Sequence, residues 1–110
     1  MMYVVDTNAI IYSIKQKVNL EKFLLEEIVV PSSVVEELEN LSKKDNNAKL
    51  ALMSLKKYRI VETSKKGDDG VIDVALRNNG KVVTNDAELI GRLKELGIST
   101  VSISLGMVRP

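Results

Sequence analysis

The chain of 110 residues contains no histidine and no cysteine. Without cysteine, neither a disulfide framework nor a thiolate zinc site can form. Without histidine, Ser-His-Asp and Cys-His catalysis fall away, and with them the usual general base near neutral pH. Any enzymatic chemistry must come from Asp, Glu, Lys, Ser, Thr, Tyr or a metal ion. Tryptophan is absent as well, and Tyr3, Tyr12, Tyr58 and Phe23 are the whole aromatic set. That is too few for the base-stacking platforms of many single-strand binders. No apolar run approaches the roughly 20 residues of a membrane span. The start, MMYVVDTN, lacks the basic residues and small-residue cleavage site of a signal peptide. A cytoplasmic location without a membrane partner is the default expectation. Net charge is only +1, so the molecule as a whole is not an electrostatic magnet for nucleic acid.

What remains is ordinary globular material, 45% apolar and 28% charged, with a core that must be built from Val, Ile, Leu and Met. The length suits one domain, residues 1–110. Tyr3-Val4-Val5 is β-prone and ends at Asp6-Thr7-Asn8, three good capping types. Ala9 to Gln16 reads as a helix and Asn19 to Glu27 as a second. Ile28-Val29-Val30 is a buried strand closed by Pro31. Helices follow from Ser32-Ser33 to about Ser42 and from Ala48 to Tyr58, with Ile60-Val61 as the third strand. Asp69 to Asn79 is helical up to the Gly80 stop. Val82-Val83-Thr84 is a strand, Ala87 to Leu96 a helix, and Ser99 to Ile103 a fifth strand. Short apolar strands alternating with helices indicate a parallel sheet covered on both faces, an α/β fold. Lys43, Lys44, Lys49, Lys56, Lys57, Arg59, Lys65 and Lys66 form a basic stretch. It is either a solvated face or a phosphate-contacting edge, with Lys43, Lys44, Lys65 and Lys66 as the nucleic-acid-binding candidates.

The acids at the strand-to-helix junctions carry the functional argument. In an open parallel sheet the site lies at the carboxyl ends of the strands, where strand order reverses. Asp6 follows the first strand, Glu37 lies in the first turns after the second, Asp69 opens the helix after the third, and Asp86 follows the fourth. Each could simply cap a helix. Alternative caps are nonetheless on hand. Ser33-Val34-Val35-Glu36 and Asn85-Asp86-Ala87-Glu88 fit capping boxes, the second leaving Asp86 free, and Asp68 can cap the helix that Asp69 begins. Helical geometry separates the two glutamates: against a Val34–Leu38–Leu41 stripe, Glu36 is solvated while Glu37 borders the core and can reach a cleft. Asp69 and Asp73 share one line beside an Ile72–Ala75–Leu76 face, and their repulsion would be relieved by a cation.

Converging carboxylates repel one another unless a cation sits among them. Mg²⁺ or Mn²⁺ suits such oxygen ligands; Mg²⁺ prefers one or two carboxylates, several waters and substrate phosphate. A bound ion of this kind can lower the pKa of a water, neutralise a scissile phosphate and steady the leaving oxygen. Phosphodiester hydrolysis is thus open to a chain with no histidine.

Asp6-Thr7-Asn8, Val30-Pro31-Ser32-Ser33-Val34-Val35-Glu36-Glu37-Leu38, Asp68-Asp69-Gly70-Val71-Ile72 and Val83-Thr84-Asn85-Asp86, in that order, resemble the PIN-domain nucleases. The resemblance implies a three-layer α/β/α sandwich around a mostly parallel sheet of about five strands. It implies metal-dependent ribonuclease activity with Asp6, Glu37, Asp69 and Asp86 as the acidic, metal-holding cluster and Asp73 as an additional acid. Asn8 and Thr84 become polar supports. The motifs look closer to the compact archaeal and ribosomal-RNA-processing branch than to the longer toxins of type II toxin–antitoxin pairs.

RNA processing or decay is therefore the favoured role, with a ribonuclease toxin or a non-catalytic RNA-binding scaffold as alternatives. Beyond RNA, the partners to expect are an antitoxin, a ribosome-assembly factor, or a second copy joined through exposed sheet edges. A phospho-accepting receiver would want an acidic pair after the first strand and a phosphorylatable Asp after the third; here stand Thr7-Asn8 and Glu62-Thr63. A haloacid-dehalogenase-type phosphatase would want Asp where Asn8 stands.

Overall fold

Val4, Val5, Val29, Val30, Val82 and Val83 are wholly buried, and they form the centre of a parallel sheet in the computed structural model. The structure describes residues 1–103; the tail 104–110, which the sequence pattern leaves unassigned, lies outside them. In chain order the elements are β1 (Met2–Val5), α1 (Thr7–Lys15), α2 (Leu20–Phe23), β2 (Glu27–Pro31), α3 (Ser32–Leu41), α4 (Asn46–Ser54), a 3₁₀ turn (Leu55–Lys57), β3 (Arg59–Val61), α5 (Gly67–Asn78), β4 (Lys81–Val83), α6 (Ala87–Glu95) and β5 (Thr100–Val101).

The sheet order is β3-β2-β1-β4-β5, parallel throughout, with Val4 opposite Val29 on one side and Val82 on the other. The chain therefore builds outward from β1 to β3 and then returns to place β4 on the other flank of β1. Right-handed crossovers put α1 to α4 on one face and α5 and α6 on the other, so the sandwich has three layers. The reversal of strand order falls between β1 and β4, and the loops leaving those two strands carry Asp6 and Asp86.

Several element boundaries differ from the sequence reading, and α1 begins at Thr7 in place of Ala9 because Asp6 caps it. The helix expected over Asn19–Glu27 is the single turn Leu20–Phe23: burial of Leu20 and Leu24 is satisfied by one turn, after which the chain extends so that Glu27 pairs with Met2. Leu25 is left 86% exposed. The helix expected over Ala48–Tyr58 begins at Asn46, because Asp45 caps it through the N–H groups of Asn47 and Ala48, and it tightens to 3₁₀ after Ser54. The helix expected from Asp69 begins at Gly67. The strand expected over Ser99–Ile103 is only Thr100–Val101, since Asn85 holds the backbone of Ile103 through two 2.8 Å hydrogen bonds.

Two helix faces differ as well. In α3, Val34 and Leu38 are buried but Leu41 is half-exposed, because the chain reverses there, with the N–H groups of Lys44 and Asp45 donating to its carbonyl. In α5 the buried face is Gly70, Val71, Ile72, Val74 and Ala75, and Leu76 is turned out to solvent.

Candidate metal centre at the sheet switch point

Asp6 is 4% exposed and caps α1, its Oδ1 accepting from the Ala9 N–H at 2.7 Å. The Thr84 hydroxyl, wholly buried at the end of β4, donates to Asp6 Oδ2 at 2.5 Å and accepts from the Asp86 N–H at 3.0 Å. One threonine thus joins the acids that follow β1 and β4 across the switch point. Asp86 is not released from capping, as the box with Asn85 would leave it. Asn85 is occupied by Ile103, so Asp86 itself caps α6, accepting from the Leu89 N–H at 3.1 Å through Oδ1.

Glu37, on α3, accepts from the Thr7 hydroxyl at 2.5 Å. The box proposed for this helix does not form. Pro31 occupies the cap position without a side-chain bond, Ser32 reaches across to the backbone of Thr63, and the buried Ser33 hydroxyl has no partner. A small cavity of about 40 Å³ is lined by Asp6, Thr7, Asn8, Glu37, Gly67, Asp68 and Val71. Asn8 lines it, and among the described residues its amide donates no hydrogen bond to any of these acids.

The acid that α5 contributes to this notch is Asp68. With α5 starting at Gly67, Asp68 lies in the first turn, not in the capping position, which falls to Lys66 without a side-chain bond. At about 100° per residue, the buried residues of α5 centre near Val71, placing Asp68 about 70° from that centre and Asp69 nearly opposite. Asp69 accordingly turns away and pairs with Arg92 of α6 at 2.6 Å. Asp73 is also engaged elsewhere. It accepts from Thr63 Oγ1 at 2.7 Å and from Nε and Nη2 of Arg77, and these bonds hold its carboxyl below the ordinary range. The repulsion anticipated between Asp69 and Asp73 is thus answered by two arginines. Sequence reasoning missed Thr7, Asp68 and Arg92. The three-residue step from Asp68 to the buried Val71 is the signal that could have found the second of them.

Burial raises the pKa of Asp6 most, opposed by the bonds from Thr84 and Ala9 and reinforced by the charges of Asp68 and Asp86. Asp68, although exposed at the surface, is raised in the same direction, first by partial desolvation and then by Asp86, with Glu37 and Glu88 adding to it and Arg92 opposing. Asp6, Glu37, Asp68 and Asp86 therefore share one electrostatic neighbourhood. Among the described residues no group of three or more acids is close enough to clasp an ion directly. The donor set still fits a hard divalent cation: every donor is an oxygen, no lysine or arginine lines the notch, and Mg²⁺ prefers one or two carboxylates with waters and substrate phosphate.

Of the basic candidates, Lys66 lines an adjoining cavity of about 210 Å³ with Ser33, Glu36, Glu37, Asn40 and Gly67. Lys65 is exposed in the β3–α5 loop, and Lys43 and Lys44 are exposed in the α3–α4 turn, away from both cavities. No helix among the described residues is long and apolar enough to cross a membrane.

A parallel sheet whose acids gather at its switch point defines a class of α/β protein that handles ligands at the carboxyl ends of its strands. The sequence matches the PIN like domain family over residues 3–105, and the chain belongs to that family. It is 34% identical to Ribonuclease VapC9 of Archaeoglobus fulgidus, over 86% of this chain and 77% of the relative. It is 36% identical to Ribonuclease VapC4 of Methanocaldococcus jannaschii, over 89% and 86% respectively. Among solved structures, the PIN domain endonuclease Utp24 aligns with a TM-score of 0.76 at 25% identity, covering 94% of this chain and 85% of that one. VapBC2 from Rickettsia felis, solved with a DNA fragment from its promoter, aligns at 0.68 and 20% identity, covering 94% of this chain and 100% of that one, a likeness of fold.

Proposed function

We propose that the chain is a divalent-metal-dependent ribonuclease whose ion, Mg²⁺ or Mn²⁺, is held by Asp6 and Asp68 with Glu37 and Asp86 at its margin. The observation that carries this reading is the notch at the switch point, lined by the carboxylates of Asp6, Glu37 and Asp68 with no lysine or arginine among its walls. Asp6 and Asp68 are each raised by burial and by neighbouring carboxylates, and no cation lines their notch. When bound, the ion would supply charge neutralisation at a scissile phosphate and activation of water. The chain's own part is orientation. Thr84 and the Ala9 N–H fix both oxygens of Asp6, Thr7 fixes Glu37, and capping fixes one oxygen of Asp86. Relatives named as ribonucleases at 34% and 36% identity support RNA as the substrate.

Incubating the purified chain with structured RNA in Mn²⁺ should give cleavage that EDTA abolishes. Asp6→Asn and Asp68→Asn should lose it, while Asp69→Asn and Asp73→Asn retain it. Cleavage that persists in EDTA removes the metal reading; loss in Asp69→Asn with retention in Asp68→Asn restores Asp69 as the third acid.

The physiological role divides between RNA processing or decay and a toxin held by an antitoxin. The two VapC relatives favour the toxin. Induced expression should then arrest growth with the wild-type chain and not with Asp6→Asn, and a protein encoded beside it should restore growth.

A further inference from the structure

Arg92 is a cation set among acids. It projects from α6 and donates through one nitrogen, Nη2, to Asp69 Oδ1 at 2.6 Å. Its charge also acts on Asp68, the acid that lines the notch, and Glu88 lies within its field. Among the described residues its Nε and Nη1 make no hydrogen bond. The other paired arginines are used more fully. Arg77 applies Nε and Nη2 to Asp73 and reaches the Glu62 carbonyl at 2.6 Å, and Arg59 applies Nε and Nη2 to Glu27. The Asp69–Arg92 pair is also open to water, its side chains 64% and 45% exposed.

We propose that Arg92 takes a phosphodiester of the bound RNA strand, and that Asp69 holds the guanidinium in place until a phosphate displaces it. This rests on the ribonuclease reading and adds a substrate contact to it. A polyanion approaching Asp6, Glu37, Asp68 and Asp86 meets net repulsion, so a fixed cation beside them has a specific electrostatic use. A guanidinium offers a planar fork of donors that matches phosphate oxygens two at a time. Asp69 uses one donor and leaves the fork incomplete; a phosphate can complete it. Exposed ion pairs contribute little, so the exchange costs little. Lys66, at the cap position of α5, lines the adjoining cavity beside Glu37.

The test is a double-mutant cycle read by fluorescence anisotropy, with fluorescein-labelled single-stranded RNA in EDTA across a salt series. Asp69→Asn releases Arg92 and should tighten binding several-fold. Arg92→Gln should weaken it several-fold and flatten the slope of log affinity against log salt by about 0.7, the loss of one phosphate contact on a single strand. The gain from Asp69→Asn should vanish when Arg92→Gln is also present. Glu88→Gln removes a neighbouring charge without releasing Arg92, so its smaller effect should be the same in both backgrounds. Both single variants break the same ion pair, so a merely structural role lowers the melting temperature alike and moves binding in one direction. Weaker or unchanged binding by Asp69→Asn, or a gain that survives in the double variant, overturns the exchange. A wild-type chain that binds no RNA in EDTA overturns the exchange, and one that also cleaves none in Mn²⁺ overturns the ribonuclease reading with it. Binding with an additive cycle overturns the exchange alone.

Discussion

Alanine at Gly70 should destabilise the chain by about 2 kcal/mol, although alanine is the better helix former by about 1 kcal/mol. A Cβ there would lie 2.3 Å from Ser33 Oγ, 2.6 Å from Ser33 Cβ and 3.0 Å from the Lys65 carbonyl. None of these is the tip of a flexible side chain: Ser33 is buried in the first turn of α3, and the Lys65 carbonyl belongs to the backbone leading into α5. Relief therefore requires α3 and α5 to part, and overpacking of this kind costs about 1–3 kcal/mol. Contacts this short belong at the upper end, so about 3 less the propensity gain leaves about 2 kcal/mol. For a chain of this length that corresponds to a fall of about 9 °C in melting temperature. The same displacement separates Glu37 from Asp68, so the affinity for Mn²⁺ should fall in parallel. Urea titration and thermal melts measure the first effect and calorimetric titration the second. The double variant Ser33→Gly, Gly70→Ala removes the obstructing side chain and should recover both. A Gly70→Ala chain as stable as wild type would refute the close approach of the two helices.

Saturating Mn²⁺ should stabilise the wild-type chain by about 2.7 kcal/mol at a hundredfold excess over its Kd, read as a rise in melting temperature. Asp68→Asn should lose that rise and Asp73→Asn keep it; the reverse result would return Asp73 to the ligand set. In EDTA the pH dependence should run opposite to that of an ordinary paired carboxylate. Burial raises Asp6 and Asp68 above the usual range, so the folded chain binds their protons more tightly than the unfolded one. The penalty for ionising them is fully present above the raised folded pKa values and is relieved as pH falls through them toward 3.8. Urea midpoints should therefore rise as pH drops from neutrality into that window, and Asp6→Asn should show less of the rise. Below it Asp73, lowered by Thr63 and Arg77, protonates and stability falls. A midpoint that declines from neutrality onward contradicts this account.

The strand centres and the parallel sheet were legible because each βα unit must bury its apolar run. Val4-Val5, Val29-Val30 and Val82-Val83 have nowhere to go except between two layers. The placement of Asp6, Glu37 and Asp86 beyond the carboxyl end of the sheet was legible for the same topological reason, since residues leaving parallel strands at one end share one rim. Capping assignments were not. Ser33, Asn85 and Asp68 are all competent caps by residue type, yet each is overruled by a contact distant in sequence or by where its helix starts: Ser33 packs under Gly70, Asn85 is taken by Ile103, and Asp68 falls inside a helix that begins at Gly67. Local propensity cannot see such partners, because the competing bonds form only once the sheet is assembled.

The choice between adjacent aspartates turned on one leucine. Counting Leu76 as buried centres the apolar face of α5 near Ile72, which leaves Asp69 on its border and Asp68 available as a cap. With Leu76 outside and Gly70 and Val74 inside, the centre moves by about one residue, or 100°. That rotation exchanges the two acids, bringing Asp68 to the notch and carrying Asp69 to Arg92. The misleading assumption was that a leucine is buried and a glycine is not. An exposed leucine is commonplace on a folded surface, whereas a glycine in a helix interior costs about 1 kcal/mol and needs a compensating reason. Here the reason is Ser33, whose side chain fills the place of the absent Cβ. Gly70 was therefore the more informative residue: it marks where α5 meets α3, and counting it as buried sets the rotation that brings Asp68 to the notch.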